Sequence, residues 1–313
     1  MQAAVIEQPG VIKIKEIPTP TPGAGEVLLK VEACALCGTD QRVLAGEKPV
    51  DVPVVGHEIT GRVAAVGSGV ASIKEGQRYV VQTVIGCGKC PMCLVHRENL
   101  CEKGFIAMGY QFAGGFAEYC LMPKVAVDQG CLISIPDDLP AEVGTLIEPL
   151  SCCVNGMQYL PLETTEHVVV FGGGIIGVLN ALVARARGAR TITIMDVSAG
   201  RLELLRSLNL PFDNLVDTSK IPADKWVAEA TGGRGVDAVV IAASVPALVG
   251  VGMNLLRRAG HLSIFAGMPK SKPTLEMDLN RIHYYEINLH GANSSAQDSY
   301  LAAHDMLVSG KID

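Results

Sequence analysis

Aromatic residues are scarce in this 313-residue chain, in which one tryptophan, seven tyrosines and six phenylalanines stand beside 34 glycines. That balance excludes a core of stacked rings and leans towards an aliphatic α/β interior with glycine-built turns. An excess of positive charge is also missing. The formal net charge is −6, which leaves no electrostatic footprint for nucleic acid or an anionic membrane, and neither is expected as a partner. Long apolar runs are absent as well. The longest, Val168 to Ala184, is interrupted by Gly172, Gly173, Gly174, Gly177 and Asn180, and it falls short of the ~20 predominantly apolar residues of a membrane span. The opening Met1-Gln2-Ala3-Ala4-Val5-Ile6-Glu7 has no basic segment followed by an apolar core, so no export signal is expected. A cytoplasmic chain with reduced thiols follows, in which clustered cysteines are metal ligands rather than disulfides.

What is present is enough chain, with 49% hydrophobic residues, to bury two cores. The first half reads as strand and loop. Glu26 to Ala33 is a strand candidate after the Pro/Gly-rich Pro18 to Gly25, followed by β-rich pieces at Gly61 to Val66, Arg78 to Val84 and Phe116 to Met122. From Glu166 the rhythm alternates. Strands are expected at His167 to Phe171, Thr191 to Met195, Val236 to Ala242 and His261 to Phe265. Helices are expected at Ile175 to Arg187, Ala199 to Leu208 and Pro246 to Leu256. Such alternation implies a doubly wound parallel sheet with helices on both faces. The boundary between the halves is expected near Val154 to Pro161.

Two motifs carry chemistry by spacing alone. Gly172-Gly173-Gly174-Ile175-Ile176-Gly177 ends the first strand of the alternating half and opens its helix. In this pattern Gly172 makes the tight turn, Gly174 lets backbone approach a pyrophosphate, and Gly177 permits close helix–strand packing. The N–H groups that open the helix at Ile175 and Ile176 face the phosphates. Asp196 closes the next strand about 20 residues beyond the motif, where a carboxylate accepts hydrogen bonds from an adenosine ribose and repels a 2′-phosphate, so NAD is expected over NADP. Arg201 works against that preference as a cation able to meet a phosphate. The second motif is Cys87-x2-Cys90-x2-Cys93-x7-Cys101, four thiolates that wrap one structural Zn2+ tetrahedrally with no position left open. His96, inside that loop, is expected at the surface.

A third set is ordinary residue by residue. Cys37-Gly38-Thr39-Asp40 follows the first long strand, Gly56-His57-Glu58 comes later with Gly61, Gly67 and Val70 behind it, and Glu148-Pro149-Leu150 closes the first half. Taken singly, each could be a buried thiol, a core histidine or a solvated acid. Together, the Gly56-His57-Glu58-x2-Gly61-x5-Gly67-x2-Val70 run, the four-cysteine lobe and the glycine loop with its acid resemble the zinc-containing alcohol dehydrogenases of the medium-chain dehydrogenase/reductase superfamily. Glu148-Pro149-Leu150 resembles the sorbitol (polyol) branch in particular.

The resemblance implies a GroES-like β-rich catalytic domain over residues 1–154, to which 290–313 returns, and a Rossmann NAD-binding domain over 155–289, with the active site in the cleft between them. It implies two zincs per chain. Cys37 and His57 hold the catalytic one, and Glu58 and Glu148 compete for or share the remaining protein position. Asp40 orients His57, and Thr39 hydrogen-bonds the substrate hydroxyl and begins a proton relay. In an open site zinc brings the pKa of bound water to about 7, and the same polarisation of a bound alcohol prepares hydride transfer to nicotinamide. Departures from the branch bear on substrate. Arg42 stands where sorbitol dehydrogenases carry a histidine, offering a cation to a phosphorylated or acidic substrate, and His290-Gly291-Ala292-Asn293-Ser294-Ser295 lacks their Arg-Tyr pair. Family members also continue past Asp313 into a further helix and strand. The expected function is therefore a zinc-dependent, NAD-linked dehydrogenase of a polyol or sugar-like secondary alcohol, in a homodimer or homotetramer. A threonine-type amino-alcohol dehydrogenase, a sugar-phosphate dehydrogenase and a non-catalytic NAD- and zinc-binding protein are the alternatives. Cys34, Cys120, Cys131, Cys152 and Cys153 have no metal-like spacing; Cys152 and Cys153 follow Glu148 closely enough to approach the metal and are expected as buried helix residues.

Overall fold

Residues 1–313 are all described by a computed structural model, and they form two units. One comprises Met1–Ser151 with Ser294–Gly310, the other Cys152–Asn293 with Lys311–Asp313. The division falls inside a helix.

The first unit opens with a hairpin of β1 (Gln2–Gln8) and β2 (Val11–Glu16), followed by β3 (Val27–Ala35), the short helix α1 (Gly38–Leu44), β4 (Glu58–Val66), β5 (Arg78–Val81) and β6 (Val84–Ile85). Then come α2 (Pro91–Leu94), β7 (Ile106–Ala107), β8 (Tyr119–Met122), α3 (Lys124–Asp128), β9 (Leu132–Ser134) and α4 (Ala141–Thr145). An antiparallel sheet in the order β8-β3-β4-β5-β9 holds the unit together. Val27, Leu29, Ile59, Val63, Val81 and Met122 build its core. Expected strand pieces shift at their ends. The run Arg78 to Val84 divides into β5, which pairs with β9, and β6, which pairs with β7. The Phe116 N–H donates instead to Val55 O at 3.0 Å, so β8 begins only at Tyr119.

In the second unit, α5 (Ile147–Met157) carries the division and leads to β10 (His167–Phe171), α6 (Ile175–Ala186), β11 (Thr191–Asp196), α7 (Ala199–Ser207) and β12 (Asn214–Asp217). There follow α8 (Ala223–Thr231), β13 (Val236–Ile241), α9 (Ala247–Leu255), β14 (Leu256–Ile264), α10 (Leu279–Tyr285) and β15 (Asn288–Gly291). All six strands are parallel, in the order β12-β11-β10-β13-β14-β15. Every residue of β10 and β13 is buried. That is why both, apart from His167 and Asp237, read as apolar runs rather than alternating ones. Strand order reverses between β10 and β13, and the carboxyl ends at such a reversal are where open α/β sheets bind ligands. The chain there is the glycine loop. The last helix, α11 (Gln297–Val308), belongs to the first unit, where the Tyr300 hydroxyl donates to Val81 O at 2.5 Å.

Candidate functional site

Strand register explains how Cys37 meets His57 and Glu58. β3 and β4 pair so that Ala35 lies opposite Glu58 at the end of their ladder. Cys37, two residues past Ala35, and His57, one before Glu58, therefore leave the sheet side by side. One ligand atom from each of Cys37, His57 and Glu58 lies within 4.8 Å of the others. The turn before His57 needs glycine, since Gly56 has φ +96° and a Cβ there would stand 2.8 Å from Cys34 Sγ and the Phe116 ring.

The segment after Cys37 folds back on it. Cys37 caps α1, its Sγ accepting the Thr39 N–H at 3.4 Å while Asp40 Oδ2 accepts the Cys37 N–H at 2.9 Å. Asp40 turns its other oxygen to His57 Nδ1 at 3.4 Å, with both side chains buried. A proton on Nδ1 facing Asp40 leaves the Nε2 lone pair for a metal. Burial opposes charging of His57, but Asp40, Cys37 and Glu148 outweigh it and raise its pKa well above the ordinary value. Burial, reinforced by Glu148 and only partly offset by His57, pushes the Glu58 carboxyl up to about 7. Glu148 is buried on α5 and acts on this cluster electrostatically without its carboxylate joining the three-atom group. Two mutually repelling buried acids beside a thiol and an imidazole form a donor set that a divalent cation relieves, so the residues fit a zinc with a position left for substrate.

Pattern reading missed two neighbours of this cluster. The Tyr110 ring packs 5.3 Å from that of His57, tilted by 41°, and Lys48 Nζ lies 4.2 Å from the centre of the Tyr110 ring. Burial raises the Tyr110 hydroxyl pKa, as do the charges of Cys37, Glu148 and Asp40, whereas a hydrogen bond with Thr39 works the other way. No motif marks either residue. A lysine shortly after Cys37 is the only signal the sequence offers. Arg42 is exposed, with Nε 3.7 Å from Glu47.

The four-cysteine lobe is built as spaced. Sulfur separations are 3.5 Å for Cys90–Cys93 and 4.0 Å for both Cys87–Cys93 and Cys90–Cys101. Tetrahedral zinc with Zn–S of about 2.3 Å requires S···S distances of about 3.8 Å. These three separations lie within a few tenths of an ångström of that, and all four sulfurs lie within 4.8 Å of one another. Gly86 makes room, for a Cβ there would meet Cys93 Sγ at 2.6 Å. Backbone N–H groups of Cys93 and Glu102 bring the Cys90 thiol down to about 6, towards the thiolate that binds metal. His96 is exposed, with Nδ1 3.8 Å from Glu98. Burial instead pushes the Cys120 and Cys131 thiols up to about 12. Those two are core residues. All ten cysteines are free.

In the second unit the glycine loop joins β10 to α6. Gly172 has φ +114°, and a Cβ on Gly177 would lie 1.7 Å from Gly172 O, so the helix start packs directly on the turn. Around Gly174 there is open space. Gly174 caps α6 without a side chain, leaving the N–H groups at Ile175 and Ile176 at the helix's positive end. Asp196 at the end of β11 accepts the Gly173 N–H and the Ser198 N–H, each at 2.7 Å, and Arg201 Nη1 stands 3.5 Å away. Burial would raise the Asp196 pKa, but these donors lower it, keeping the carboxylate ionised beside the loop.

Comparisons with known proteins accord with this geometry. Residues 23–137 match the family model for the alcohol dehydrogenase GroES-like domain, and residues 176–309 match that for zinc-binding dehydrogenases. A sorbitol dehydrogenase of Bacillus subtilis is 31% identical over 318 residues, covering 100% of this chain and 87% of the relative. An L-threonine 3-dehydrogenase of Sinorhizobium fredii is 32% identical over 298 residues, covering 93% and 83%. A crystal structure from Sinorhizobium meliloti, described as a zinc-binding dehydrogenase bound to NADP, superimposes with a TM-score of 0.91 at 32% identity, covering 100% of this chain and 89% of that one.

Proposed function

The chain belongs to the zinc-type alcohol dehydrogenase family, and on that premise we propose that it oxidises a secondary alcohol of a polyol or sugar-like substrate with NAD as hydride acceptor. The observation that carries the reading is the convergence of Cys37, His57 and Glu58 within 4.8 Å, with Asp40 behind His57. Those three side chains would hold the catalytic zinc, with Glu148 close enough to share the charge. Zinc, when bound, supplies a Lewis acid that polarises the substrate oxygen. Asp40 keeps the His57 ring oriented. As Thr39 Oγ1 takes up the substrate's hydroxyl proton, it gives up its own to solvent water, so the hydroxyl is left neutral. Cys87, Cys90, Cys93 and Cys101 would hold the second, structural zinc. The loop Gly172 to Gly177 would take the pyrophosphate, and Asp196 the ribose hydroxyls.

Reduction of NAD or NADP by the zinc-loaded protein, followed spectrophotometrically with sorbitol, xylitol and threonine, tests the reading. Reduction with a polyol supports it. Reduction with threonine alone moves the substrate to the amino-alcohol class, which the threonine dehydrogenase relative favours. A protein with two zincs that reduces neither cofactor with any alcohol refutes it and leaves the non-catalytic alternative. We further propose a homodimer or homotetramer, supported by β15, which leaves one edge of the six-stranded sheet unpaired. The ten free cysteines support a reducing, cytoplasmic setting. No helix is long and apolar enough to cross a membrane.

A further inference from the structure

From the placement of Lys48 over Tyr110 beside the Cys37–His57–Glu58 cluster, we infer that Lys48 recognises an anionic oxygen group on the substrate. The substrate is then a polyhydroxy alcohol bearing a carboxylate or a phosphate. The inference rests on the dehydrogenase reading and narrows its substrate class.

Four observations carry it, all within the first unit. Lys48 is only partly exposed, and its ammonium has no hydrogen bond and no carboxylate within 4.0 Å, the Tyr110 ring at 4.2 Å being its one specific partner. A half-buried ammonium without an oxygen acceptor is costly, and a ring face repays only about 0.5–2 kcal/mol of that. The ring beneath it leans on His57 at 5.3 Å, which fixes the cation at the metal cluster and not out on the surface. Finally, a second cation stands close by. The Glu47 and Lys48 N–H groups both donate to Arg42 O, at 2.9 and 3.3 Å, so the turn after α1 gathers Arg42 and Lys48 together. Burial first, then the like charge of Arg42, lowers the Lys48 pKa, while Cys37 and Asp40 act in the opposite sense. The ammonium therefore lies in the field of both the second cation and the proposed ligand loop.

Two like charges beside a catalytic centre, one of them lacking an oxygen partner, suit an anion brought by the substrate. Arg42 already has Glu47 at 3.7 Å, so Lys48 is the charge left to balance, and neutral polyols offer it only hydroxyls. Carboxylate and phosphate share the needed chemistry, and the assay separates them.

The test uses the zinc-loaded full chain with gluconate as the carboxylate, sorbitol 6-phosphate as the phosphate, and sorbitol and xylitol as neutral substrates. We expect kcat/KM for one anionic class to exceed that for the neutral polyols by at least about tenfold, the value of one charge-assisted hydrogen bond. Lys48→Gln should raise KM for that class by a similar factor, and Lys48→Arg should restore most of it. A preference for neutral polyols overturns the inference and leaves the dehydrogenase reading intact, as does a Lys48→Gln loss that is equal for neutral and anionic substrates. Should no substrate be turned over, the dehydrogenase reading fails, and calorimetric titration with gluconate and sorbitol 6-phosphate decides this inference alone. Binding that Lys48→Gln abolishes supports it, and absence of binding to the unaltered protein overturns it.

Discussion

Glu98 Oε2 accepts the backbone N–H of Gln297 at 3.2 Å across 199 residues of sequence, joining the four-cysteine lobe to the first residue of α11. The helix start has no side-chain cap of its own, so Glu98 supplies the missing acceptor and an anion for the positive end of the dipole. Glu98 lies between Cys93 and Cys101, and its β- and γ-carbons sit where a Cβ on Gly86 would come within 3.1 Å. Glu98 thereby ties the four-cysteine lobe to the start of α11.

Glu98→Ala should lower the unfolding free energy of the zinc-loaded protein by about 1–3 kcal/mol, the cost of losing a charge-assisted cap. Denaturant titration measures it, with zinc content as the control. A loss of stability with two zincs retained is the expected result. Unchanged stability would mean that α11 does not depend on this contact.

The two cation sites should separate by mutation. Metal analysis of the unaltered protein should give two zincs per chain. Cys37→Ser should give one, with the unfolding midpoint nearly kept, because the site proposed for Cys37 is an open one just past the end of β3. Cys90→Ser should also give one but lower stability by more than about 2 kcal/mol, since structural zinc contributes directly to folding. An unchanged count in Cys37→Ser would remove that cysteine from the catalytic site.

Stability of the second unit should depend on pH through two buried groups of the β10–β13 pair. Asp237 accepts the N–H groups of Glu166 and His167 at 3.2 and 2.8 Å and pairs with Arg257. Burial raises its pKa, but Arg257 and the His167 N–H outweigh that and lower it below the ordinary 3.8. His167 is buried with Nε2 2.8 Å from Thr193 Oγ1, and burial lowers its pKa from 6.5. Both depressed values act in the same sense. The unfolded chain binds the proton first, so each contribution is complete above the unfolded pKa and is lost as pH falls through the folded one. Unfolding free energy should therefore decline below pH 6.5, with a further decline below 3.8. His167→Leu should flatten the first limb, since Thr193 Oγ1 keeps the Asn214 amide as a donor at 3.2 Å. Asp237→Asn should cost about 1–3 kcal/mol at neutral pH and progressively less in acid. Urea titrations between pH 3 and 8 read both limbs, and a slope identical in His167→Leu and the unaltered protein would exclude His167 as its source.

Legibility in the sequence followed the range of the interaction involved. β10 and β13 are buried on both faces, so their composition alone declared them, and the glycine loop and four-cysteine lobe are short enough for spacing to specify geometry. β12, with only Val216 buried, and α8, with only Ala223 and Val227 buried, carry too little apolar pattern to stand out. The Ala35–Glu58 register, the packing of Tyr110 on His57 and the cap on Gln297 are long-range, and no local period encodes them. Glu58 and Glu148 were equivalent as letters. The strand register sets Glu58 beside Cys37 and His57, one ligand atom of each within 4.8 Å, and the charge of Glu148 bears on that group.

Cofactor choice should turn on Asp196. Its carboxylate is held by the Gly173 and Ser198 N–H groups and stays ionised, so it can accept a ribose hydroxyl and repel a 2′-phosphate. We expect kcat/KM for NAD to exceed that for NADP by at least about tenfold, the worth of a charged hydrogen bond. Asp196→Ala also frees the Gly173 N–H and loosens the loop, so use of both cofactors should fall. The diagnostic quantity is therefore the ratio, which should shift towards NADP by a similar factor. Arg201, exposed and 3.5 Å from that carboxylate, then becomes the nearest charge to a 2′-phosphate, and Arg201→Ala in the Asp196→Ala background should reverse the gain. A ratio that Asp196→Ala leaves unmoved would make Asp196 a support for the glycine loop with no part in reading the ribose.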